Sequence, residues 1–182
     1  MCATTTVHAA VIDFETVTKD PIGAFVPNGY AGFNWSGLFA LNKNFDTSVQ
    51  NGYTHATTSG MYSISNWGNG IGSFERDTIF SLVSMQLTKP HAIGNVHLEG
   101  WRGSERMYYL DVPATPFAPT LAQLNWAGIT KVRVLNDSVT VHTAIDDIVI
   151  ANVPEPSQWA LLGIAGLAFA IARGELRRRA ST

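Results

Sequence analysis

The heptapeptide ITKVRVL at Ile129–Leu135 indicates the fold most clearly. Within it, Val132 and Val134 alternate with two charged side chains. In an extended chain the valines therefore lie on one face, and Lys131 and Arg133 lie on the other. The alternation predicts a strand with one buried face and one face in water.

Runs of strand-forming residues recur about every ten to fifteen residues between 11 and 152, and Gly and Asn separate them. No long segment in this range has the period of a helix. Strands at this spacing predict an all-β fold, an antiparallel β-sandwich of the jelly-roll kind. The runs are VIDFETV, YAGFNWSGLFAL, SGMYSISNW, TIFSLVSMQLT, NVHLEGW, MYYLDV, ITKVRVL and VTVHTAIDDIVI.

Length and composition fit one globular domain with appendages. The chain has 182 residues, of which 46% are hydrophobic and 14% charged. Cys2 is the only cysteine, so no disulfide can form within the chain. Residues 11–153 carry eight Lys or Arg and twelve Asp or Glu. This acidic balance argues against a nucleic-acid partner, which would need a basic face.

The amino-terminal residues 1–10 resemble the end of a secretory signal peptide. Val7, His8 and Ala9 form a small-residue cleavage pattern, although a basic region and a long apolar region are missing. We expect residues 1–10 to be the remnant of a signal peptide whose beginning is encoded upstream. A frayed tail is the alternative.

The carboxyl-terminal residues 153–182 predict a membrane anchor. Residues 159–172 carry no charge and are apolar on all sides, unlike an amphipathic surface helix. As a helix they would span about 21 Å of a hydrocarbon core of about 30 Å, and flanking arginines that snorkel extend this reach. We therefore predict a single transmembrane helix at 158–173 and a basic tail at 174–182, with the body outside. The alternative is a helix packed against its own domain. The residues predicted to stop transfer at the cytoplasmic side are Arg173, Arg177, Arg178 and Arg179.

The stretch VPEPS at Val153–Ser157 precedes the apolar helix and the arginine cluster. This order resembles the PEP-CTERM sorting signal of Gram-negative bacteria. The resemblance implies recognition by an exosortase, removal of the tail and delivery to the cell surface or the extracellular polymer matrix. It covers residues 153–182, with one departure, because Glu175 lies inside the basic cluster. The motif that it assigns to recognition is VPEPS, made of Val153, Pro154, Glu155, Pro156 and Ser157.

Four carboxylates near the two ends of the body predict a structural calcium site. Asp13 and Glu15 lie in the first predicted strand, and Asp146 and Asp147 lie in the last. The terminal strands of jelly rolls often pair, which would bring these carboxylates together. Carboxylates crowded in this way repel one another unless a cation such as Ca²⁺ binds among them. Glu15 and Asp147 are the preferred ligands; the alternative is that the four side chains face water or accept local backbone hydrogen bonds.

The stretch VHLEGWR predicts a ligand platform. Alternation places His97, Glu99 and Trp101 on one face of a strand, with Val96 and Leu98 on the other. The flat, apolar face of an aromatic ring suits a sugar ring, which has an apolar face and a polar rim. The alternative is that the rings cover the edge of the core. The other rings expected near this platform are Tyr62, Trp67 and Tyr109.

These features together predict an exported structural or polysaccharide-associated protein of the surface or matrix. The alternative is a carbohydrate-binding module with one specific glycan. A glycoside hydrolase is not expected, because Glu99 and Glu105 flank a glycine turn and match no catalytic motif. The five histidines show no metal-ligand spacing, so calcium is the only cofactor predicted.

Overall fold

The computed structural model describes residues 9–45, 52–66, 70–136 and 142–152. Within them the chain forms ten strands and one short α-helix. A single 3-10 turn spans Tyr30–Gly32. The elements are β1 (Ala9–Ile12), β2 (Gly23–Phe25), β3 (Asn34–Ser36), β4 (Leu38–Asn42), α1 (Gly52–Ala56), β5 (Tyr62–Asn66), β6 (Ile71–Thr88), β7 (Gly94–Arg102), β8 (Glu105–Ala114), β9 (Thr120–Asn136) and β10 (Ala144–Asn152).

All the strand pairs are antiparallel and join into one hydrogen-bonded network. Its order is β2-β4-β5-β10-β6-β9-β7-β8. In addition, β1 pairs with β10, and β3 pairs with β6. The first and last strands of the body are therefore neighbours, as the jelly-roll interpretation predicts.

The network has two halves, and the long strands β6 and β9 belong to both of them. One half also contains β3, β7 and β8, and the other also contains β1, β2, β4, β5 and β10. The pairing of β6 with β9 has a register shift between Glu75 and Phe80, where the regular ladder is interrupted. On one side of the shift, β6 residues 71–75 pair with β3 and with the end of β9, which leads to β7 and β8. On the other side, β6 residues 80–88 pair with the start of β9 and with β10. Bulges of this kind bend strands and let one strand serve two sheets.

Both halves contribute to a single hydrophobic core. Val132 and Val134 of β9 and Val96 and Leu98 of β7 are completely buried, as their alternation predicts. Burying each such side chain stabilises the folded state by about 1.5–3 kcal/mol relative to leaving it exposed. The second half supplies residues such as Ile145 to the same cluster. The predicted all-β, antiparallel, sandwich-like architecture is confirmed.

The strands differ from the sequence prediction mainly in length and position. β2 and α1 were not predicted, and β6 and β9 begin well before the runs that indicated them. β1 begins at Ala9, two residues before the predicted start of the body, and ends at Ile12. Asp13 and Glu15 therefore follow the first strand instead of lying within it.

The terminal predictions fall outside the described residues. These are the signal-peptide remnant at 1–10, apart from its last two residues, and the sorting motif, apolar helix and basic tail at 153–182. None of the helices in the described part of the chain has the length and apolar character needed to cross a bilayer.

Candidate functional site

The predicted platform lies on β7, between the neighbouring strands β8 and β9. His97, Glu99 and Trp101 point to the side opposite the core. Residues paired directly across antiparallel strands share a face, so the partners of these three side chains lie beside them. On β8 the partners are Asp111, Tyr109 and Arg106, and on β9 they are Leu135, Arg133 and Lys131. We call the three β7 residues and these partners, without Leu135, the polar face.

The Glu99 carboxylate accepts hydrogen bonds from three side chains of the polar face. Its side chain is only 8% exposed. Arg106 Nη1 donates to Oε1 at 2.8 Å, and Arg133 Nη1 donates to Oε2 at 3.1 Å. The indole Nε1 of Trp101 donates to Oε2 at 3.0 Å. One buried carboxylate therefore fixes two guanidinium groups and the orientation of the Trp101 ring.

The charge state of Glu99 follows from this network. Burial raises the pKa of the Glu99 carboxyl, but hydrogen bonds from Arg106 and Trp101 and the charges of Arg133 and Arg106 outweigh it. The pKa consequently lies below its ordinary value. A general acid needs a raised pKa, so Glu99 does not suit the acid role of a glycosidase.

A second group of contacts lies at the other end of the face. His97 Nδ1 lies 2.5 Å from an Asp111 carboxylate oxygen and 3.1 Å from the hydroxyl of Tyr109. The rings of His97 and Tyr109 stack with 6.3 Å between their centroids, and the Arg106 guanidinium lies 5.2 Å from the centre of the Tyr109 ring. Neighbouring side chains therefore hold the Tyr109 ring in place, and the residue stays 51% exposed.

Trp101 lines an open groove of about 480 Å³, together with Gly103, Ser104, Lys131 and Arg133. The Arg133 guanidinium lies 5.9 Å from the centre of the Trp101 ring. A second groove of about 400 Å³ adjoins the first and shares Gly103 and Lys131 with it. Its other lining residues are Asn34, Glu75, Arg76, Asp77 and Thr130.

The structure brings some of the predicted platform residues together and not others. Tyr109 joins the predicted platform, whereas Tyr62 belongs to the core and donates its hydroxyl to the Asp20 carbonyl at 3.0 Å. Trp67 lies outside the described residues. Arg106 was missed, although the two-residue Gly-Ser loop between β7 and β8 is a hairpin signal that sets its register.

The carboxylates of Asp146 and Asp147 hold the segment that leads into β5. Asp146 Oδ2 accepts hydrogen bonds from the backbone N–H groups of Thr58 at 2.8 Å and Ser59 at 3.0 Å. Asp147 accepts from the hydroxyls of the same two residues, both at 2.7 Å. Burial raises the pKa of Asp146 to about 6, although the backbone donors oppose the shift. Asp147 has a left-handed φ of 48° at a register shift in β10.

Glu15 holds the next residues of the same segment. Its Oε1 accepts from the backbone N–H groups of Met61 at 2.8 Å and Tyr62 at 2.9 Å. Asp13 is exposed and accepts from the backbone N–H of Glu15 at 3.3 Å. In the described part of the chain, no group of three or more His, Cys, Asp or Glu side chains is arranged to hold a metal ion. Asp13 corresponds to the alternative interpretation, because it is exposed and accepts a local backbone hydrogen bond. Glu15, Asp146 and Asp147 instead accept from residues far along the chain. Calcium binding stays a prediction.

No protein-family model and no curated protein matches the sequence. Solved structures resemble the chain at low identity. The CBM22-1 xylan-binding domain of Paenibacillus barcinonensis Xyn10C is 10% identical with a TM-score of 0.48, over 84% of this chain and 99% of that one. The K2 cleaved adhesin domain of Lys-gingipain is 12% identical with a TM-score of 0.49, over 80% and 100%. TmCBM61, solved with β-1,4-galactotriose, is 13% identical with a TM-score of 0.39, over 75% and 98%. At these TM-scores the similarities identify no ligand for this chain.

Proposed function

We propose that the chain is an exported protein of the cell surface or extracellular matrix whose polar face binds polysaccharide without cleaving it. The observation that supports this function best is the groove beside Trp101. A sugar ring has an apolar face of C–H groups and a rim of hydroxyls. The groove combines an indole surface with the hydroxyl of Ser104 and the cationic donors of Lys131 and Arg133.

The hydrogen bonds of Glu99 prepare this groove for binding. Because Glu99 fixes the Trp101 indole and the Arg133 guanidinium in the free protein, a ligand does not have to order them. Glu99 itself is buried and ionised, and it is occupied by three donors. The network therefore serves to position binding groups, and this role favours a binding protein over a hydrolase.

Affinity electrophoresis of the full chain tests binding. Native gels that contain xylan, galactan, a β-glucan or polygalacturonate would each be compared with a gel that lacks polysaccharide. We expect at least one polymer to retard the wild type, and Trp101→Ala to weaken that binding about tenfold, the equivalent of about 1.4 kcal/mol. Retardation by a single polymer would favour the narrower alternative of a module with one specific glycan.

Phe25→Ala is the matched control. Phe25 is an exposed aromatic residue, 62% accessible, on β2 at the opposite end of the strand order from β8. The control should bind as the wild type does. Equal loss in both variants, or full binding by Trp101→Ala, would exclude the groove as the site. Retardation by no polymer would leave a structural role without glycan binding.

The sorting part of the proposal is supported by the sequence of residues 153–182, which lie outside the described residues. An exosortase would recognise the VPEPS motif while the apolar helix holds the chain in the membrane. Cell fractionation with and without an exosortase tests this step. The intact chain should accumulate in membranes when the enzyme is absent, and a chain that is equally soluble in both strains would contradict sorting.

A further inference from the structure

The cationic residues of the body are concentrated beside the proposed binding groove. Residues 11–153 carry eight Lys or Arg and twelve Asp or Glu, so the body as a whole is acidic. Half of these cations lie on the three neighbouring strands β7, β8 and β9. They are Arg102, Arg106, Lys131 and Arg133. The same strands carry three carboxylates, so cations outnumber acids here, whereas acids outnumber cations in the body as a whole. A local excess of cations attracts anions.

Two of these cations line the groove at Trp101. Its described lining contains Lys131 and Arg133 and no acidic side chain. The single charge of Glu99 is shared between the guanidinium groups of Arg106 and Arg133. One negative charge cannot neutralise two positive ones, so this network keeps an excess positive charge beside the groove.

Lys131 lies where the two grooves meet. Its Nζ lies 2.8 Å from Glu75 Oε2, and these side chains are 34% and 48% exposed. An ion pair this exposed is weak, so a ligand carboxylate can compete for the lysine. The second groove extends the surface past Gly103 to Asn34, Glu75, Arg76 and Asp77. Its two carboxylates suit the hydroxyls of a further sugar and not a second carboxylate, so the negative charge of the ligand belongs in the first groove.

From this arrangement we infer that the groove binds an acidic polysaccharide, with a carboxylate-bearing sugar at Trp101, Lys131 and Arg133. The neighbouring sugar of the chain lies over Gly103, toward Asn34. This inference rests on the proposed function, because it names the class of polysaccharide that the same site takes. A carboxylate matches the charge of the first groove, whereas a neutral sugar would leave both cations without a new partner.

Two polymers that differ only in charge test the inference. Polygalacturonate and its carboxyl-reduced form have the same backbone and linkage, and calorimetry would measure the binding of each to the full chain. We expect the wild type to bind polygalacturonate at least tenfold more tightly than the reduced polymer. The preference should shrink as the salt concentration rises, because counter-ions screen exposed charges.

A pair of charge-matched variants locates the effect. Lys131→Gln should lower the preference for polygalacturonate about threefold to tenfold, whereas Lys19→Gln should leave it unchanged. Both variants remove one positive charge, but Lys19 lies between β1 and β2. Equal loss in both would show that net charge, and not the groove, causes the preference, and would overturn the inference.

Three further outcomes separate this inference from the proposed function. Equal affinity for the two polymers would overturn the acidic preference and leave polysaccharide binding intact. Binding of neither polymer, together with no retardation by any polysaccharide, would overturn both. Single-stranded DNA that binds as tightly as polygalacturonate would reveal a general polyanion surface, and this would also overturn the inference.

Discussion

Glu99→Gln should destabilise the domain through the loss of one buried negative charge. The wild-type carboxylate accepts hydrogen bonds from Arg106 and Arg133, while its side chain is only 8% exposed. Glutamine keeps the shape and one acceptor oxygen, but its amide group is a donor and would face another donor. At least one guanidinium group therefore loses its partner.

The expected cost follows from the exposure of the partners. A hydrogen bond to a charged group contributes about 1.5–3 kcal/mol when it is buried. The Arg106 and Arg133 side chains are 50% and 31% exposed, so water replaces part of what they lose. We expect a loss of about 2–3 kcal/mol at pH 7. For a chain of this length, this lowers the melting temperature by about 4–12 °C.

The loss should depend on pH in one direction. The pKa of Glu99 is lowered in the folded state, so its carboxylate stabilises the fold above the unfolded pKa of about 4.3. That stabilisation disappears as the pH falls through the folded pKa. Urea unfolding, followed by tryptophan fluorescence, should show a large difference between wild type and Glu99→Gln at pH 7 and a smaller one at pH 3.

Glu105→Gln is the control for this experiment. Glu105 lies on β8 next to the same hairpin turn, and it is exposed. Its substitution should change the stability by less than about 0.5 kcal/mol. A Glu99→Gln variant as stable as this control, or a loss that is the same at pH 7 and pH 3, would refute the account of Glu99 as a buried, ionised anchor.

Three further predictions concern other parts of the fold. Burial raises the pKa of Asp146 to about 6, above its unfolded value, so ionisation of this carboxyl lowers the stability of the fold as the pH rises through 6. In urea unfolding, the free energy of unfolding of the wild type should fall by about 2–3 kcal/mol relative to Asp146→Asn between pH 4 and pH 7. Gly37→Ala should cost at least about 2 kcal/mol more than Gly128→Ala in the same assay. Both glycines have a left-handed φ, but only at Gly37 would a Cβ lie 2.3 Å from a backbone oxygen, that of Ile71. Calcium should raise the melting temperature relative to a chelator if the four predicted carboxylates bind it, and identical melting curves would remove the calcium site.

The sequence contained enough to predict the fold class and the central residues of the polar face. Alternation depends only on the period of a strand, so it placed His97, Glu99 and Trp101 on one side and Val96 and Leu98 on the other. Alternation does not say which strands are neighbours. The position of β9 beside β7, which brings Arg133 to Glu99, depends on pairing between distant segments.

The end of β1 shows a different limit of prediction from the local sequence. The pattern VIDFETV favours a strand through residue 17, but β1 ends at Ile12, and Phe14 adopts a left-handed φ of 62°. This turn directs the Phe14 ring into the core and allows Glu15 to accept from the backbone of residues 61 and 62. Neither contact leaves a signal in the local sequence, because both partners lie far along the chain.

The sharing of β6 and β9 between the two halves bears on how the domain resists proteases. Both halves need β6 and β9, so opening one half also removes hydrogen-bond partners from the other. We expect the domain to open cooperatively as one unit. A protease would then meet either the closed fold or the fully open chain, and its cutting rate would report the stability of the whole domain.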